Sequence, residues 1–255
     1  MGAVALGSAL ALPASVADPA WTRLVEAGVE AERLHDPEAA LDFYRQALAL
    51  RPDDAFVLQK IAQQISDATF RPGAARPERA RVREALDYAQ RAAELDPTSA
   101  VNRLSVAILH GRLAAYGGAR DKVEHARRVR EHAEAALALD PQYAWAHHVL
   151  GRWHVEMAEL GATARAFAAV LFGGLPPASR EEGIRFLEHA VALEPEAVAH
   201  RVELAFAYAR AGRTDEARAA WTRSLELEPR AIYDLPAQQR AREALEGGER
   251  RGRGR

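Results

Sequence analysis

Apolar and polar positions alternate along this chain with a helical period, and one closing pattern appears five times. The segments YRQALALRPDD, AQRAAELDPTS, AEAALALDPQY, FLEHAVALEPEA and WTRSLELEPRA share their apolar spacing and end near a proline. Apolar residues three and four positions apart predict amphipathic helices. A proline ends each helix because it lacks an amide hydrogen and restricts the residue before it. We therefore predict five repeats that end at Pro52, Pro97, Pro141, Pro195 and Pro229.

Small residues recur at two fixed distances before each of these prolines. Five positions before the proline stand Ala47, Ala92, Ala136, Ala190 and Ser224. Twelve positions before it stand Ala40, Ala85, Val129, Gly183 and Ala217. This is the pattern of the tetratricopeptide (TPR) repeat, in which helix A and helix B of one repeat cross closely and need small side chains at the crossing.

The spacing between the prolines departs from the TPR period of about 34 residues. Only the interval from Pro195 to Pro229 is 34 residues, and the three earlier intervals are 45, 44 and 54 residues. We expect the additions between helix A and helix B of their repeats, on one face of the solenoid. The first addition predicts a loop broken by Pro72, Gly73 and Pro77, and the second predicts a lengthened helix B. The third predicts an apolar helix at about 162–172.

The prediction is an all-α, TPR-like α-solenoid of about five helix pairs over residues 20–246, with a capping helix from about Ala237 to Glu246. Residues 247–255 are predicted to form a disordered Arg/Gly tail. The apolar segment 1–17 ends in Ser15-Val16-Ala17 and has the features of a signal peptide, the alternative being a disordered leader. A signal peptide predicts an exported or periplasmic protein, and a leader predicts a cytoplasmic one. We predict no transmembrane segment, because a span needs about 20 apolar residues.

Composition narrows the function classes. With a formal net charge of -2, the protein has no overall positive electrostatic potential that would attract nucleic acid. The absence of cysteine excludes thiolate metal sites and a thiol nucleophile. The chain has no Gly-rich phosphate loop and no nucleophile elbow, so we predict no cofactor and no enzyme.

One enzyme hypothesis rests on His147 and His154, with Glu156 and Glu159 nearby. Two histidines seven residues apart lie about 10 Å apart along a helix, too far to share one ion without a second helix. Neither glutamate stands three or four residues after His154. Core histidines are therefore the favoured interpretation, and a metal-dependent enzyme is the weaker alternative.

The insertions carry a family resemblance. Leu150 to Trp153, Leu171-Phe172, Pro176-Pro177 and Glu182 to Phe186 lie in an order that resembles the regulator of microtubule dynamics family. The resemblance extends over roughly 56–220, with three insertions in register. It implies a TPR-like fold and a groove for a peptide or a lipid, since one member has a TPR domain implicated in binding phospholipids. Microtubule binding is not carried over, because an exported chain would meet no microtubules.

TPR ligands bind in the concave groove lined by the A helices. The repeat register places Phe56, Leu104, Ile108, Arg112, Trp145, His148, Arg152, Phe206 and Arg210 there. We predict a non-catalytic scaffold that binds a protein or peptide in this groove. The alternative is a phospholipid whose head group meets Arg112, Arg152 and Arg210.

The groove can be open or filled, and the sequence leaves this question undecided together with the partner and the oligomeric state. In the filled case the helix at 162–172 folds back into the groove. Its apolar residues Phe167, Leu171 and Phe172 are then the filling or gating side chains.

Overall fold

The computed structural model describes residues 18–70 and 79–253. Within these ranges the chain forms twelve α-helices and one short 3-10 helix, Ala68–Phe70, without any strand. The α-helices are α1 (Pro19–Arg33), α2 (Pro37–Leu50), α3 (Ala55–Asp67), α4 (Arg79–Leu95), α5 (Ala100–Ala114), α6 (Ala119–Leu139), α7 (Ala144–Ala158), α8 (Ala162–Phe172), α9 (Arg180–Leu193), α10 (Val198–Arg210), α11 (Thr214–Glu226) and α12 (Asp234–Arg253). None of them combines the length and the apolar character needed to cross a bilayer.

The helices pack as five antiparallel pairs, α1 with α2, α3 with α4, α5 with α6, α7 with α9, and α10 with α11. Helix α12 packs on α10 and α11 as a cap. The A helices α3, α5, α7 and α10 also contact one another in succession. This confirms the predicted all-α, TPR-like solenoid. All three insertions lie between helix A and helix B, although the loop that holds Pro72, Gly73 and Pro77 falls outside the described residues.

Short polar side chains start several of the helices. Two residues beyond Pro52 and Pro97, the side chains of Asp54 and Ser99 accept hydrogen bonds from the backbone amides of Val57 and Asn102 at 3.0 and 3.2 Å. Such caps satisfy amides that have no partner inside the helix. The boundaries at Pro52 and Pro97 therefore combine a proline that ends helix B with a cap that begins the next helix A, whereas α7 and α10 begin without a side-chain cap.

The C-terminal boundary differs from the prediction. Helix α12 begins at Asp234 and continues to Arg253, so the predicted disordered tail is wrong for 247–253. Gly247 and Gly248 do not end the helix, because a helical glycine costs only about 1 kcal/mol. Strong helix formers on both sides offset that cost. The predicted leader at 1–17 lies outside the described residues.

Helices α7 and α9 cross at two glycines. A Cβ atom on Gly151 would lie 2.6 Å from Leu187 Cγ and 2.9 Å from the carbonyl oxygen of Gly183. A Cβ atom on Gly183 would lie 2.7 Å from the carbonyl oxygen of Gly151. Side chains of any size would push these backbones apart. The small residues read from the sequence therefore stand where the structure needs them.

Hydrogen bonds hold both ends of helix α8, and most of its described side chains are exposed. Arg165 donates to the carbonyl oxygens of Leu160 and Met157, at the end of α7. Arg127 of α6 donates to the carbonyl oxygens of Phe172 and Gly174, at the end of α8. Val170 is 83% and Leu171 54% exposed, whereas Ala168 is buried. Polar bonds at the ends thus set the position of α8.

A carboxylate joins the first two repeats. Glu32 of α1 accepts hydrogen bonds from the Tyr44 hydroxyl at 3.0 Å and from the Gln64 amide at 2.6 Å, and it forms an ion pair with Lys60 at 2.8 Å. Burial and the charge of Glu32 raise the pKa of Tyr44 far above its usual value, so its hydroxyl keeps the proton that it donates. This network ties α1 to α2 and α3.

Candidate functional site

The predicted groove residues all lie on successive A helices, but they differ in depth. Leu104 and His148 are buried within the described structure and present little surface to a ligand. Leu104 packs with Ala146 and Leu150, and His148 packs against His200. The other positions are partly or fully exposed, namely Phe56, Ile108, Arg112, Trp145, Arg152, Phe206 and Arg210.

The two exposed groove arginines stand beside carboxylates. Arg152 forms ion pairs with Glu156 at 2.8 Å and with Glu203 at 3.6 Å. Arg210 pairs with Glu159 at 3.0 Å. Glu203 is buried and is also 3.4 Å from Arg240 of α12. Cations and anions therefore alternate along this part of the groove.

Polar groups line the groove on α3 and α5. Gln59 donates to the Ser105 hydroxyl at 3.1 Å, and Gln63 donates to Asp67 at 3.2 Å. Burial raises the pKa of Asp67 to about 6, while the hydrogen bond from Gln63 and the charge of Arg112 oppose the rise. These amide, hydroxyl and carboxyl groups can bond to a polypeptide backbone.

Aromatic rings form a cluster in the middle of the groove. Trp145 lies with its ring centre 4.5 Å from that of His200 and 5.0 Å from that of His148. We name the rings of Phe70, Trp145, His148 and His200 the aromatic socket. The ring of Tyr233, from the turn between α11 and α12, lies 5.1 Å from Trp145 and 5.9 Å from Phe70.

Phe70, His200 and Tyr233 were not among the residues predicted from the sequence. A signal for Tyr233 was present, because it follows Pro229 by four residues, as Phe56 follows Pro52 and Trp145 follows Pro141. The groove register, extended past the last proline, would have included it. Phe70 lies beyond the end of α3, where the TPR register no longer applies.

The structure places α8 away from the groove. It packs against α6, a B helix, whereas the groove is lined by A helices. The alternative of a groove filled by residues 162–172 is therefore corrected, and the side chain that lies against the groove residue Trp145 is instead that of Tyr233. Leu171 is exposed, the carbonyl oxygen of Phe172 bonds to Arg127, and the side chain of Phe167 is outside the described part of the structure.

The histidines of the metal hypothesis pack around a phenylalanine. His147 and His154 have ring centres 5.7 and 5.5 Å from that of Phe186. His147 also bonds to the carbonyl oxygen of Pro141 at 2.9 Å, and His154 lies 3.5 Å from Glu182. Among the residues that the structure describes, no three metal-binding side chains come together at a site that could hold an ion.

A second group of histidines lies between α5 and α6. The Nδ1 atoms of His110 and His125 are 3.0 Å apart, and the ring of His132 stacks on His110 at 5.9 Å. Burial, with the charges of His125, His132 and Arg128, lowers the pKa of His110 to about 4. Burial also lowers the pKa values of His125 and His132.

This group predicts acid sensitivity. An unfolded histidine binds a proton below a pKa of about 6.5. Folded His110 stays neutral down to about pH 4, so stability present above pH 6.5 is lost as the pH falls toward 4. Between pH 7 and pH 5 the free energy of unfolding should fall in both proteins. We expect the fall to be about 2 kcal/mol smaller in His110→Phe than in the wild type. Urea unfolding at the two pH values measures this, and parallel losses in both proteins would contradict it.

Comparisons with known proteins agree with this architecture. A family model described as Regulator of microtubule dynamics protein 1-3 matches residues 27–248. Regulator of microtubule dynamics protein 1 of Bos taurus is 32% identical over 144 residues, which are 56% of this chain and 45% of the relative. Regulator of microtubule dynamics protein 3 of Rattus norvegicus is 26% identical over 190 residues, 74% of this chain and 40% of the relative. The chain thus spans less than half the length of these curated relatives.

A solved structure shows the same fold. A thermophilic TPR protein of Thermus thermophilus superposes with a TM-score of 0.67 at 22% identity. The match covers 88% of this chain and 98% of that protein.

Proposed function

The chain belongs to the regulator of microtubule dynamics protein 1-3 family, and from that premise we propose that it is a non-catalytic scaffold whose concave groove holds a protein or peptide partner. The TPR-like solenoid supplies the groove, and the A helices supply its side chains. The partner lies along α3, α5, α7 and α10, where polar and aromatic groups are partly exposed.

The observation that carries this proposal is the pairing of the groove arginines with carboxylates. Arg152 stands between Glu156 and Glu203, and Arg210 stands beside Glu159. A phosphate that took Arg152 would compete with these anions and leave the buried Glu203 with fewer cations, which is costly. A polypeptide can instead offer charges of both signs, together with backbone groups for the partly exposed Gln63 and Ser105.

Charge reversal at Arg152 tests the proposal. Peptides selected from a random library on the purified wild-type protein should bind Arg152→Glu at least about tenfold more weakly, because the change gathers like charges in the groove. Binding is measured by fluorescence anisotropy at fixed salt. The matched control is Arg218→Glu, which alters an exposed arginine on α11 and should bind like the wild type. Equal affinity of all three proteins would remove the concave groove as the site.

A phospholipid is the second candidate, and one observation favours it. At the N-terminal end of the groove Phe56 and Ile108 are partly exposed, and Val101 is 43% exposed. An acyl chain or an apolar helix face could cover them. Native mass spectrometry of protein purified from cells separates the candidates. A retained phospholipid would favour the lipid, whereas protein without lipid that also takes up none from offered vesicles would favour the peptide.

A further inference from the structure

The groove is crossed by a segment of the chain itself, residues 228–233 between α11 and α12. Asp234 shapes this turn, because its carboxylate accepts hydrogen bonds from the backbone amides of Arg230 at 2.9 Å and Ala231 at 2.8 Å. The imidazole Nε2 of His35, in the turn between α1 and α2, lies 3.0 Å from the carbonyl oxygen of Arg230. The first and last repeats therefore meet across the groove, through residues 195 positions apart.

Tyr233 is the side chain of this segment that enters the aromatic socket. Its ring meets Trp145 and Phe70 in edge-to-face geometry, at interplanar angles of 73° and 72°. Pro229 and Arg230, earlier in the same turn, are exposed. Burial, with the carboxylates of Asp234, Asp67 and Glu194, raises the pKa of Tyr233 far above its usual value, so the phenol stays neutral. A neutral aromatic ring is thus what the socket holds.

The Tyr233 ring is held by these ring contacts, while the Tyr233 carbonyl oxygen accepts a hydrogen bond from the Ala237 amide of α12 at 3.1 Å. An aromatic pair contributes roughly 0.5–1.5 kcal/mol beyond the area that it buries. Within the described residues, one hydrogen bond joins the turn to the first repeat, from the exposed ring of His35. A rotation of the Tyr233 side chain would empty the socket and leave the hydrogen bond from the Ala237 amide intact, and openings of this local kind are common in folded proteins.

We infer that the aromatic socket is the anchor site for a tyrosine or phenylalanine side chain of the partner, and that Tyr233 occupies the site until the partner displaces it. The inference rests on the proposed function, since it names the class of partner and the regulation of the same groove. Because the partner must compete with Tyr233, its apparent affinity equals its intrinsic affinity multiplied by the fraction of molecules whose socket is empty.

The experiment uses 4-methylphenol, the side-chain analogue of tyrosine, as the probe. Tyr233→Ala empties the socket, and the probe is followed by the NMR signal of the Trp145 indole N–H, assigned by its loss in Trp145→Phe. We expect a saturable shift of this signal in Tyr233→Ala and none in the wild type. The matched control is Leu235→Ala, which removes a side chain that is 59% exposed two residues further on and should behave like the wild type.

A second variant leaves the socket and Tyr233 unchanged. His35→Gly keeps the left-handed backbone, φ 57°, at which glycine is unstrained, and removes the hydrogen bond to Arg230. It should bind the probe more tightly than the wild type and more weakly than Tyr233→Ala. Equal shifts in the wild type and Tyr233→Ala, or no saturable binding by either variant, would overturn the inference.

The probe needs no natural partner, so its result is independent of the peptide selection. If the selection yields no peptide but the probe binds Tyr233→Ala, the proposed function is rejected. The probe result then shows only that the socket is accessible when Tyr233 is removed. In a successful selection, Tyr233→Ala should enrich peptides with tyrosine or phenylalanine and bind them about tenfold more tightly than the wild type. Peptides without an aromatic residue that bind both proteins equally would reject the anchor site.

Discussion

Replacement of Gly151 by alanine should lower the free energy of unfolding by about 3 kcal/mol, the upper end of what overpacking usually costs. The added Cβ atom would lie 2.6 Å from Leu187 Cγ and 2.9 Å from the carbonyl oxygen of Gly183. Leu187 could rotate, but the second contact is with backbone, so α7 and α9 must move apart. The loss should appear as a lower urea midpoint, measured by circular dichroism.

Gly111→Ala is the matched control, because Gly111 also lies inside an A helix. An added Cβ atom there meets only Val129 Cγ2, at 3.7 Å, an ordinary contact distance. Alanine favours a helix over glycine by up to about 1 kcal/mol, so this variant should be slightly more stable than the wild type. If both variants changed stability equally, the close crossing of α7 and α9 would not be what selects glycine at 151.

Replacement of Glu32 by alanine should cost about 3 kcal/mol. The change leaves the Tyr44 hydroxyl, the Lys60 ammonium and the Gln64 amide without their shared acceptor. Tyr44 is fully buried, and removing one partner of a buried polar group costs its full desolvation. Because the network joins only the first repeats, hydrogen exchange should rise most in α1 and α2.

Glu26→Ala on the same helix is the control for this prediction. Glu26 is exposed, so its replacement should change the unfolding free energy by less than about 0.5 kcal/mol. An effect of Glu32→Ala no larger than that of Glu26→Ala, or an equal loss of protection in all repeats, would show that the carboxylate does not join the repeats.

The helix pairs could be predicted from the sequence because their signals are local. A proline ends helix B, and a cap such as Asp54 begins the next helix two residues later. Small residues such as Gly183 mark the crossings, since only backbone can pass there. The end of α12 was missed because Gly247 and Gly248, at about 1 kcal/mol each, cost too little to stop a helix flanked by strong formers.

The candidate site was predicted less completely, because its depth depends on how the repeats curve. Leu104 and Ile108 share one face of α5, yet one is buried and the other is partly exposed. The approach of His35 to Arg230 joins positions with no pattern in common. The position of α8 depends on hydrogen bonds from Arg127 to backbone carbonyl groups. Arg127 is one of several arginines on α6, and every sequence has backbone carbonyl groups, so no sequence pattern marks this contact. Such contacts follow from the assembled solenoid and leave no periodic signal.

The central claim is that the concave groove receives a protein or peptide partner, and photo-crosslinking in the cells that make the protein tests it most directly. A photoreactive amino acid is placed at Ile108, on the groove side of α5, or at Leu139, which ends α6 and is 42% exposed. We predict a discrete protein adduct from position 108 that is lost when Arg152→Glu is added, and no such adduct from position 139. Equal adducts from both positions, or an adduct at 108 that persists with Arg152→Glu, would contradict the claim.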